Sequence, residues 1–322
     1  MSTSTEAIDE RMIRGIAPDE STGKVSTKEV RQFLFDRGAT VAGVAPATAF
    51  ADAPGGHRAT DIIPNAESVI VMGVKLISSL VDWPSLVWEQ KRSTVFNAWL
   101  VYDEGCFDSP NIRLARMAGE LATAFEVNGY HSFFSPGSLG STTTCLNAAR
   151  LYAQMEYPQP LDREKLAELA PDIESPSRYE APFSLRHAAV AAGLATFGAN
   201  NLALHPVFGP RVRWNVVITE LQMDHYDEPL TEPVCTFDKG CRACIETCPY
   251  GVFQEQGRFE FAGQSHPWAA MTGGKCYYNS VPCGGTCIQV CPAGSGDKAM
   301  KKTVAKRFQQ QKRSEQSPPA AS

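Results

Sequence analysis

The residues with the clearest chemistry in this sequence are cysteines, and eight of the ten lie in two runs near the C-terminal end. The first run is Cys235-x5-Cys241-x2-Cys244-x3-Cys248-Pro249, and the second is Cys276-x6-Cys283-x3-Cys287-x3-Cys291-Pro292. Closely spaced thiolates can surround an iron–sulfur cubane, and runs that end in Cys-x3-Cys-Pro are typical of bacterial two-cluster ferredoxins. The pattern therefore predicts two 4Fe-4S clusters.

In those ferredoxins the fourth cysteine of each run crosses to the other cluster. Applied here, the rule predicts one cluster on Cys235, Cys241, Cys244 and Cys291, and another on Cys248, Cys276, Cys283 and Cys287. The first spacing of each run, x5 and x6, is longer than the x2 of the ferredoxin pattern. The assignment of the outermost cysteines, Cys235 and Cys276, to a cluster is therefore the least defined part of this prediction. Two structural zinc sites are the competing interpretation, because four close cysteines also suit zinc. The two Cys-Pro endings favour iron–sulfur clusters.

Composition and charge limit the partners and the compartment. The chain has 322 residues and a net charge of −5, so it is not an obvious polyanion-binding protein as a whole. Residues 298–322 hold seven basic residues and one acid, and we expect a disordered basic tail there. The N-terminal residues lack an apolar signal region, and no apolar run is long enough to span a bilayer. We therefore expect a cytoplasmic protein without a membrane partner. In that reducing compartment, cysteines bind metals more readily than they form disulfides.

The chain before the cysteines has the pattern of a mixed α/β domain. A helix is predicted after Ser26, where Glu29 would complete a capping box, and Gly38 would end it. Further predicted elements are strands at 39–45, 69–74 and 212–221 and helices at 109–128 and 185–197. The chain contains neither GxGxxG after a strand nor a P-loop motif. About 225 residues precede the clusters, which favours an enzyme whose clusters feed a second redox centre.

Four stretches resemble the superfamily of epoxyqueuosine reductases and reductive dehalogenases, which are cobalamin-dependent iron–sulfur reductases. They are Gly38–Ala47, Ile63–Val74, Arg186–Trp214 and the two cysteine runs. The resemblance implies an α/β (α+β) fold, with a nitroreductase-like cobalamin-binding core followed by a ferredoxin-like two-cluster domain. The implied boundaries are 1–24 for a flexible segment, 25–225 for the cobalamin-binding catalytic domain, 226–297 for the cluster domain and 298–322 for the tail.

The resemblance also implies a cobalamin beside the motif Ala-Gly-Leu-x3-Gly-x-Asn. The residues expected to contact it are Gly193, Leu194, Gly198 and Asn200, together with His187, which flanks the motif. A histidine with a purely structural role is the alternative for His187.

A proton donor is expected in the stretch from Tyr102 to Asp108, which resembles the proton-donor motif of epoxyqueuosine reductases. Cys106 and Phe107 replace the arginine and the aspartate of that motif, so Asp108 is the nearest acid, with Asp103 and Glu104 as alternatives. By analogy with the dehalogenases, Tyr102 is a further candidate acid. Asp108 could instead be a charge that stabilises the N-terminus of a helix starting at Ser109, and Tyr102 could be an ordinary packed residue.

Together these features predict a cobalamin-dependent iron–sulfur reductase that removes a leaving group, by deoxygenation or dehalogenation. Electrons would come from an external donor of the ferredoxin or flavodoxin type and pass through the two clusters. A small molecule and a tRNA-borne group both remain open as substrates. The alternative function is an electron-transfer or corrinoid-reactivating protein without its own substrate, and a flavin is the alternative to cobalamin.

Overall fold

The computed structural model describes residues 16–86, 101–102, 104–135, 182–271, 276 and 283–293. The tail 298–322, residues 1–15 and Cys145 lie outside this part of the chain. The described strands are β1 (Val41–Pro46), β2 (Ser68–Lys75), β3 (Ser132–Phe134), β4 (Thr196–Phe197), β5 (Ala203–Leu204), β6 (Val212–Thr219), β7 (Phe253–Phe261) and β8 (Gln264–Met271). The described α-helices are α1 (Thr27–Asp36), α2 (Ala59–Ile62), α3 (Ser78–Leu86), α4 (Ser109–Val127), α5 (Leu185–Ala191), α6 (Ala243–Glu246) and α7 (Thr286–Gln289). This mixed content confirms the predicted fold class.

A four-stranded sheet in the order β1-β2-β6-β3 is the centre of one compact unit, here called the sheet unit. Its described residues are 16–74, 111–135, 182–195 and 213–231. β1 pairs antiparallel with β2, and β3 pairs antiparallel with β6. The N–H groups of Glu67 and Leu76 donate to the carbonyls of Thr219 and Arg211, so β2 and β6 are antiparallel as well. β2 is buried on both faces, which explains why its sequence is continuously apolar rather than alternating.

The core of the sheet unit is closed by α1 and α4. Ser26 caps α1, because its Oγ accepts a hydrogen bond from the Glu29 N–H at 3.4 Å. Val30 of α1 and Leu121 of α4 pack in the same fully buried cluster. Ile16 also belongs to that cluster, so residue 16 is part of the core although it falls within the segment 1–24.

The predicted helix at 185–197 is too long, because α5 ends at Ala191. Gly193 has a left-handed φ of +66°, and its N–H donates to the Val190 carbonyl while the Leu194 N–H donates to the Ala189 carbonyl. This pair of hydrogen bonds is the Schellman motif, which ends a helix at a glycine. The apolar run therefore continues past the helix and into β4.

The second compact unit, here called the cysteine unit, contains the described residues 75–86, 101–102, 104–110, 196–212, 232–271, 276 and 283–293. It includes the hairpins β4–β5 and β7–β8 and the short helices α6 and α7, which contact each other. The described residues of the segments 75–110 and 196–212, which precede the predicted boundary at 225/226, thus group with the cysteine runs. None of the described helices combines the length and the apolar composition that crossing a bilayer requires.

We expect Gly193→Ala to destabilise the protein more than the matched change Gly23→Ala. Both glycines have a left-handed φ, +66° and +68°, which costs an alanine about 1–2 kcal/mol. A Cβ at Gly193 would also overlap the carbonyl oxygen of Glu228, whereas nothing lies within 4 Å of a Cβ at Gly23. The overlap adds about 1–3 kcal/mol. Urea unfolding followed by circular dichroism measures both losses, and equal losses would contradict this packing.

Candidate functional site

Four cysteines from both runs line one pocket in the cysteine unit: Cys235, Cys241, Cys244 and Cys291. Cys244 lies on α6, Cys291 follows α7, and the other two flank a 3₁₀ turn at Phe237–Lys239. Asn200, Leu204 and Pro292 also line the same pocket.

The thiols of this pocket influence one another electrostatically. Burial, followed by the nearby Cys291, Cys235 and Cys241 thiols, raises the pKa of Cys244 to about 12. Without a metal, the Cys244 thiol therefore stays protonated at neutral pH. Because only the thiolate ligates a metal, binding of a cationic centre must release this proton.

A second group of thiols forms around the second cysteine run. Burial, followed by the Cys283 and Cys248 thiols, raises the pKa of Cys276 to about 11. Burial, followed by Cys283 and Cys276, raises the pKa of Cys287 well above its ordinary value. The structure thus brings Cys248, the last cysteine of the first run, to the cysteines of the second run.

Among the described residues, no group of three or more His, Cys, Asp or Glu side chains could hold a single metal ion as they stand. In a cubane the four thiolates bind four different irons, whereas a structural zinc takes all four ligands on one ion. Four thiols around one pocket are the donor set that a 4Fe-4S cluster requires, and zinc stays the alternative.

Neighbouring loops fix the shape of the first pocket. Thr196 Oγ1 accepts a hydrogen bond from the Val234 N–H at 2.9 Å, one residue before the first cysteine of the run. The Arg242 guanidinium stacks on the Phe237 ring at 3.6 Å and donates to the carbonyls of Phe237 and Cys241 at 2.8 Å. These contacts hold the backbone on both sides of the 3₁₀ turn in place.

A fully buried ion pair connects α3 to the end of α7. Arg211 Nη1 and Nη2 donate to the two carboxylate oxygens of Asp82 at 3.0 and 2.9 Å, and neither side chain has exposed surface. Nη2 also donates to the carbonyl of Gln289, the last residue of α7, at 3.5 Å. The pair thus supports the end of α7, which contains Cys287 and is followed by Cys291. Sequence reasoning missed both partners, because 129 positions separate them.

Tyr102, one of the predicted proton donors, is buried in the cysteine unit. Only 6% of its surface is exposed, and it packs in an apolar cluster with the fully buried Cys106. The Tyr102 hydroxyl occupies the place that a Cβ would take at Gly285. Because Gly285 lies between Cys283 and Cys287, Tyr102 packs against the backbone of the second cysteine run.

Asp108, another predicted donor, closes a π-helical turn over Glu104–Asp108 that runs directly into α4. The predicted helix at 109–128 is confirmed, since α4 begins at Ser109 and follows the π-helical turn without a break. Asp108 therefore lies directly before the first residue of α4, and both roles expected for its carboxylate, proton donor and N-terminal charge, stay predictions. Its side chain is partly exposed, and π-helical turns are frequent at functional sites.

The five residues that the resemblance assigns to cobalamin are divided between the two units. His187, Gly193 and Leu194 belong to the sheet unit, and Gly198 and Asn200 belong to the cysteine unit.

Three of these residues lie against other atoms of the chain. A Cβ at Gly193 would overlap the Glu228 carbonyl, and a Cβ at Gly198 would lie 2.7 Å from Cδ1 of Leu204. His187 Nδ1 forms a 2.6 Å hydrogen bond with the hydroxyl of Ser184, the N-cap of α5. The part that the five residues would play in binding a corrinoid stays a prediction.

Three buried side-chain amides keep a nitrogen without a hydrogen-bond partner among the described residues: Asn111, Asn200 and Asn215. Asn111 and Asn215 lie in the sheet unit, and Asn200 lines the pocket of the four cysteines. An unpaired buried amide costs free energy, so each is a place where a ligand could complete the hydrogen bonding. A polar residue inside an apolar strand, such as Asn215 in β6, is the signal that could have been noticed in the sequence.

Comparison with solved structures agrees with the predicted fold. The catabolic reductive dehalogenase NpRdhA superposes with a TM-score of 0.53 and 16% identity, over 92% of this chain and 38% of that chain. A second structure, described as a reductive dehalogenase with a mechanism for B12-dependent dehalogenation, gives 0.52 and 17% over 92% and 37%. The chain has the fold of the reductive dehalogenases.

The likeness covers only part of those proteins, since this chain spans less than two-fifths of the two dehalogenase chains. Epoxyqueuosine reductase from Streptococcus thermophilus gives a TM-score of 0.38 and 13% identity, over 70% of this chain and 52% of that chain. No family model and no curated protein matches the sequence. The comparisons therefore support the reductive-dehalogenase fold and do not identify the reaction of this chain.

Asp82→Asn is expected to lower the free energy of unfolding by about 3–5 kcal/mol, because it leaves the Arg211 charge buried without its partner. Asp238→Asn is the matched control, since it breaks the exposed ion pair with Arg258 at 2.7 Å. An exposed pair contributes less than about 1 kcal/mol. The double variant Arg211→Met with Asp82→Leu should lose less than Asp82→Asn. Equal losses for Asp82→Asn and Asp238→Asn in urea unfolding would exclude a supporting role for the buried pair.

Proposed function

We propose that this chain is an iron–sulfur oxidoreductase that removes a leaving group from its substrate, with electrons relayed through two 4Fe-4S clusters. The observation that carries the proposal is the grouping of eight thiols into two sets of four, each including the last cysteine of the other run. This grouping occurs in a chain with the fold of the reductive dehalogenases.

In this proposal Cys235, Cys241, Cys244 and Cys291 hold one cluster, and Cys248, Cys276, Cys283 and Cys287 hold the other. When bound, each cluster supplies reversible one-electron storage. The Cys287 thiol is influenced by Cys244 and Cys291 as well as by its own set, so the two sets lie near each other. Neighbouring sets suit the transfer of electrons from one to the other. An external ferredoxin or flavodoxin would supply those electrons.

The proposed chemistry consumes two electrons. When the leaving group is a halide, a carbon–halogen bond breaks, a carbon–hydrogen bond forms and one proton is taken up. When it is a hydroxyl group, a second proton leaves with it as water. We assign the proton to the carboxyl group of Asp108, because that side chain is partly exposed whereas Tyr102 is buried against Gly285.

A corrinoid is proposed as the second redox centre because one structure with this fold is described as a B12-dependent dehalogenase. Three of the five residues assigned to it, His187, Gly193 and Gly198, lie against other atoms of the chain. This observation favours the second candidate function, in which the chain passes electrons to a partner without a substrate of its own. Cobalt analysis separates the two candidates.

The crossed sets of cysteines predict how four alanine variants fall into two pairs. Cys248→Ala should weaken the same electron paramagnetic resonance (EPR) signal as Cys283→Ala, because both remove a ligand from the second set. Cys291→Ala should weaken the same signal as Cys244→Ala. Iron content measured alongside shows that one cluster remains in each variant.

This comparison of variants does not require knowing beforehand which EPR signal belongs to which cluster. If Cys248→Ala behaved instead like Cys244→Ala, each cluster would be held by a single run, and the crossed sets would be wrong.

Turnover by the anaerobically purified protein tests the proposed reaction. With a reduced viologen as donor and 3-bromo-4-hydroxybenzoic acid as probe, which is bound in a structure of NpRdhA, we expect bromide release and about one cobalt per chain. Asp108→Asn should lower kcat by about 10²–10⁴-fold, the usual contribution of a general acid, while Tyr102→Phe should lower it much less. Reversible cluster reduction without cobalt or bromide release would favour the electron carrier.

A further inference from the structure

Asn200 is the only residue assigned to cobalamin by resemblance that the described structure places in the thiol pocket. Its side chain lines the pocket with Cys235, Cys241, Cys244 and Cys291. It is 4% exposed, and its Nδ2 is fully buried without a hydrogen-bond partner among the described residues. The pocket is therefore lined by four potential sulfur ligands and by a residue whose NH₂ group has no hydrogen-bond partner among the described residues.

The hydrogen bond of the Asn200 side-chain oxygen fixes the orientation of the whole side-chain amide. Asn200 Oδ1 accepts a hydrogen bond from the Leu202 N–H at 3.3 Å. If the amide were flipped, its NH₂ group would face that N–H, donor against donor. The oxygen is therefore committed to the loop, and the nitrogen is the free donor.

The loop that carries Asn200 is held at several points. The Gly198 N–H donates to the Leu202 carbonyl at 2.9 Å, which closes the turn between β4 and β5. Asn201 has a left-handed φ of +60°, and its Nδ2 donates to the Ala269 carbonyl of β8 at 2.7 Å. These contacts limit how far Asn200 can move to find another partner.

The buried Asn200 NH₂ group needs a hydrogen-bond acceptor, and the sulfur atoms of the pocket become better acceptors when a cluster is bound. A protonated thiol is a weak acceptor, whereas a metal-bound thiolate or a cluster sulfide is negatively charged and accepts more strongly. Hydrogen bonds to the sulfurs are among the factors that set the reduction potential of an iron–sulfur cluster.

We propose that Asn200 Nδ2 donates a hydrogen bond to a sulfur of the cluster held by Cys235, Cys241, Cys244 and Cys291, and thereby raises its reduction potential. The inference rests on the proposed function, because it requires that cluster to be bound. The direction follows from charge: reduction adds an electron to the cluster, and a donor to sulfur stabilises the more negative state. Asn200 thus makes this cluster a better electron acceptor.

Asn200→Leu tests the proposal because leucine is similar in shape and has no N–H donor. A redox titration that follows the EPR signals of both clusters should show one potential falling. The reduction equilibrium should shift about tenfold, which is about 59 mV for a one-electron couple. The potential of the other cluster should not change, and Asn200→Ala should move the same potential in the same direction.

Asn215→Leu is the matched control. Asn215 is also a buried asparagine with an unpaired Nδ2, and its Oδ1 accepts a backbone N–H from Val216 at 2.7 Å, but it lies in the sheet unit. Its substitution should leave both potentials unchanged. Unchanged potentials in Asn200→Leu and Asn200→Ala with full iron content would overturn the role of Asn200 alone. A wild-type protein that binds no iron under reconstitution would overturn the proposed function as well.

Discussion

Thiols that lie close together cannot all ionise unless a positive charge lies among them. In the cysteine unit, burial and neighbouring thiols together raise the pKa values of Cys244, Cys276 and Cys287. These three thiols therefore stay neutral in the absence of metal, and each becomes a ligand only when iron displaces its proton. Cluster binding and the stability of this unit are thus coupled through the same protons, and the contacts around the thiols have to hold them together in both states.

Those contacts come from distant parts of the sequence. The buried pair of Arg211 and Asp82 supports the end of α7, Tyr102 packs against Gly285 at its start, and Thr196 holds the residue before Cys235. This explains why the described residues of the segments 75–110 and 196–212 group with the cysteine runs. A ferredoxin-like run of cysteines in this chain is supported by residues that a ferredoxin-sized fragment would lack.

Much of the fold follows from local patterns in the sequence. The cap at Ser26, the buried strand β2 and the extent of α4 could be predicted because capping residues and apolar runs act over a few positions. The end of α5 was missed although Gly193 marks it, because the apolar run past the glycine resembles a longer helix. The π-helical turn before α4 was not predicted, because such a turn has no clear sequence signal.

The site was predictable only in part. The Cys-Pro endings indicated which cysteines exchange between the runs, and the electrostatic grouping of the thiols supports that exchange. The ion pair of Arg211 with Asp82 was not predictable, because its partners are far apart in sequence. The family resemblance assigned Asn200 to cobalamin, whereas the pocket that Asn200 lines in the structure is formed mainly by cysteines.

The most direct test of the central claim is a count of iron, acid-labile sulfide and zinc in protein purified without oxygen. Two 4Fe-4S clusters require about eight iron atoms and eight sulfides per chain, with little zinc. About two zinc ions per chain without sulfide would instead show that the same cysteines form two structural zinc sites, which contradicts the account.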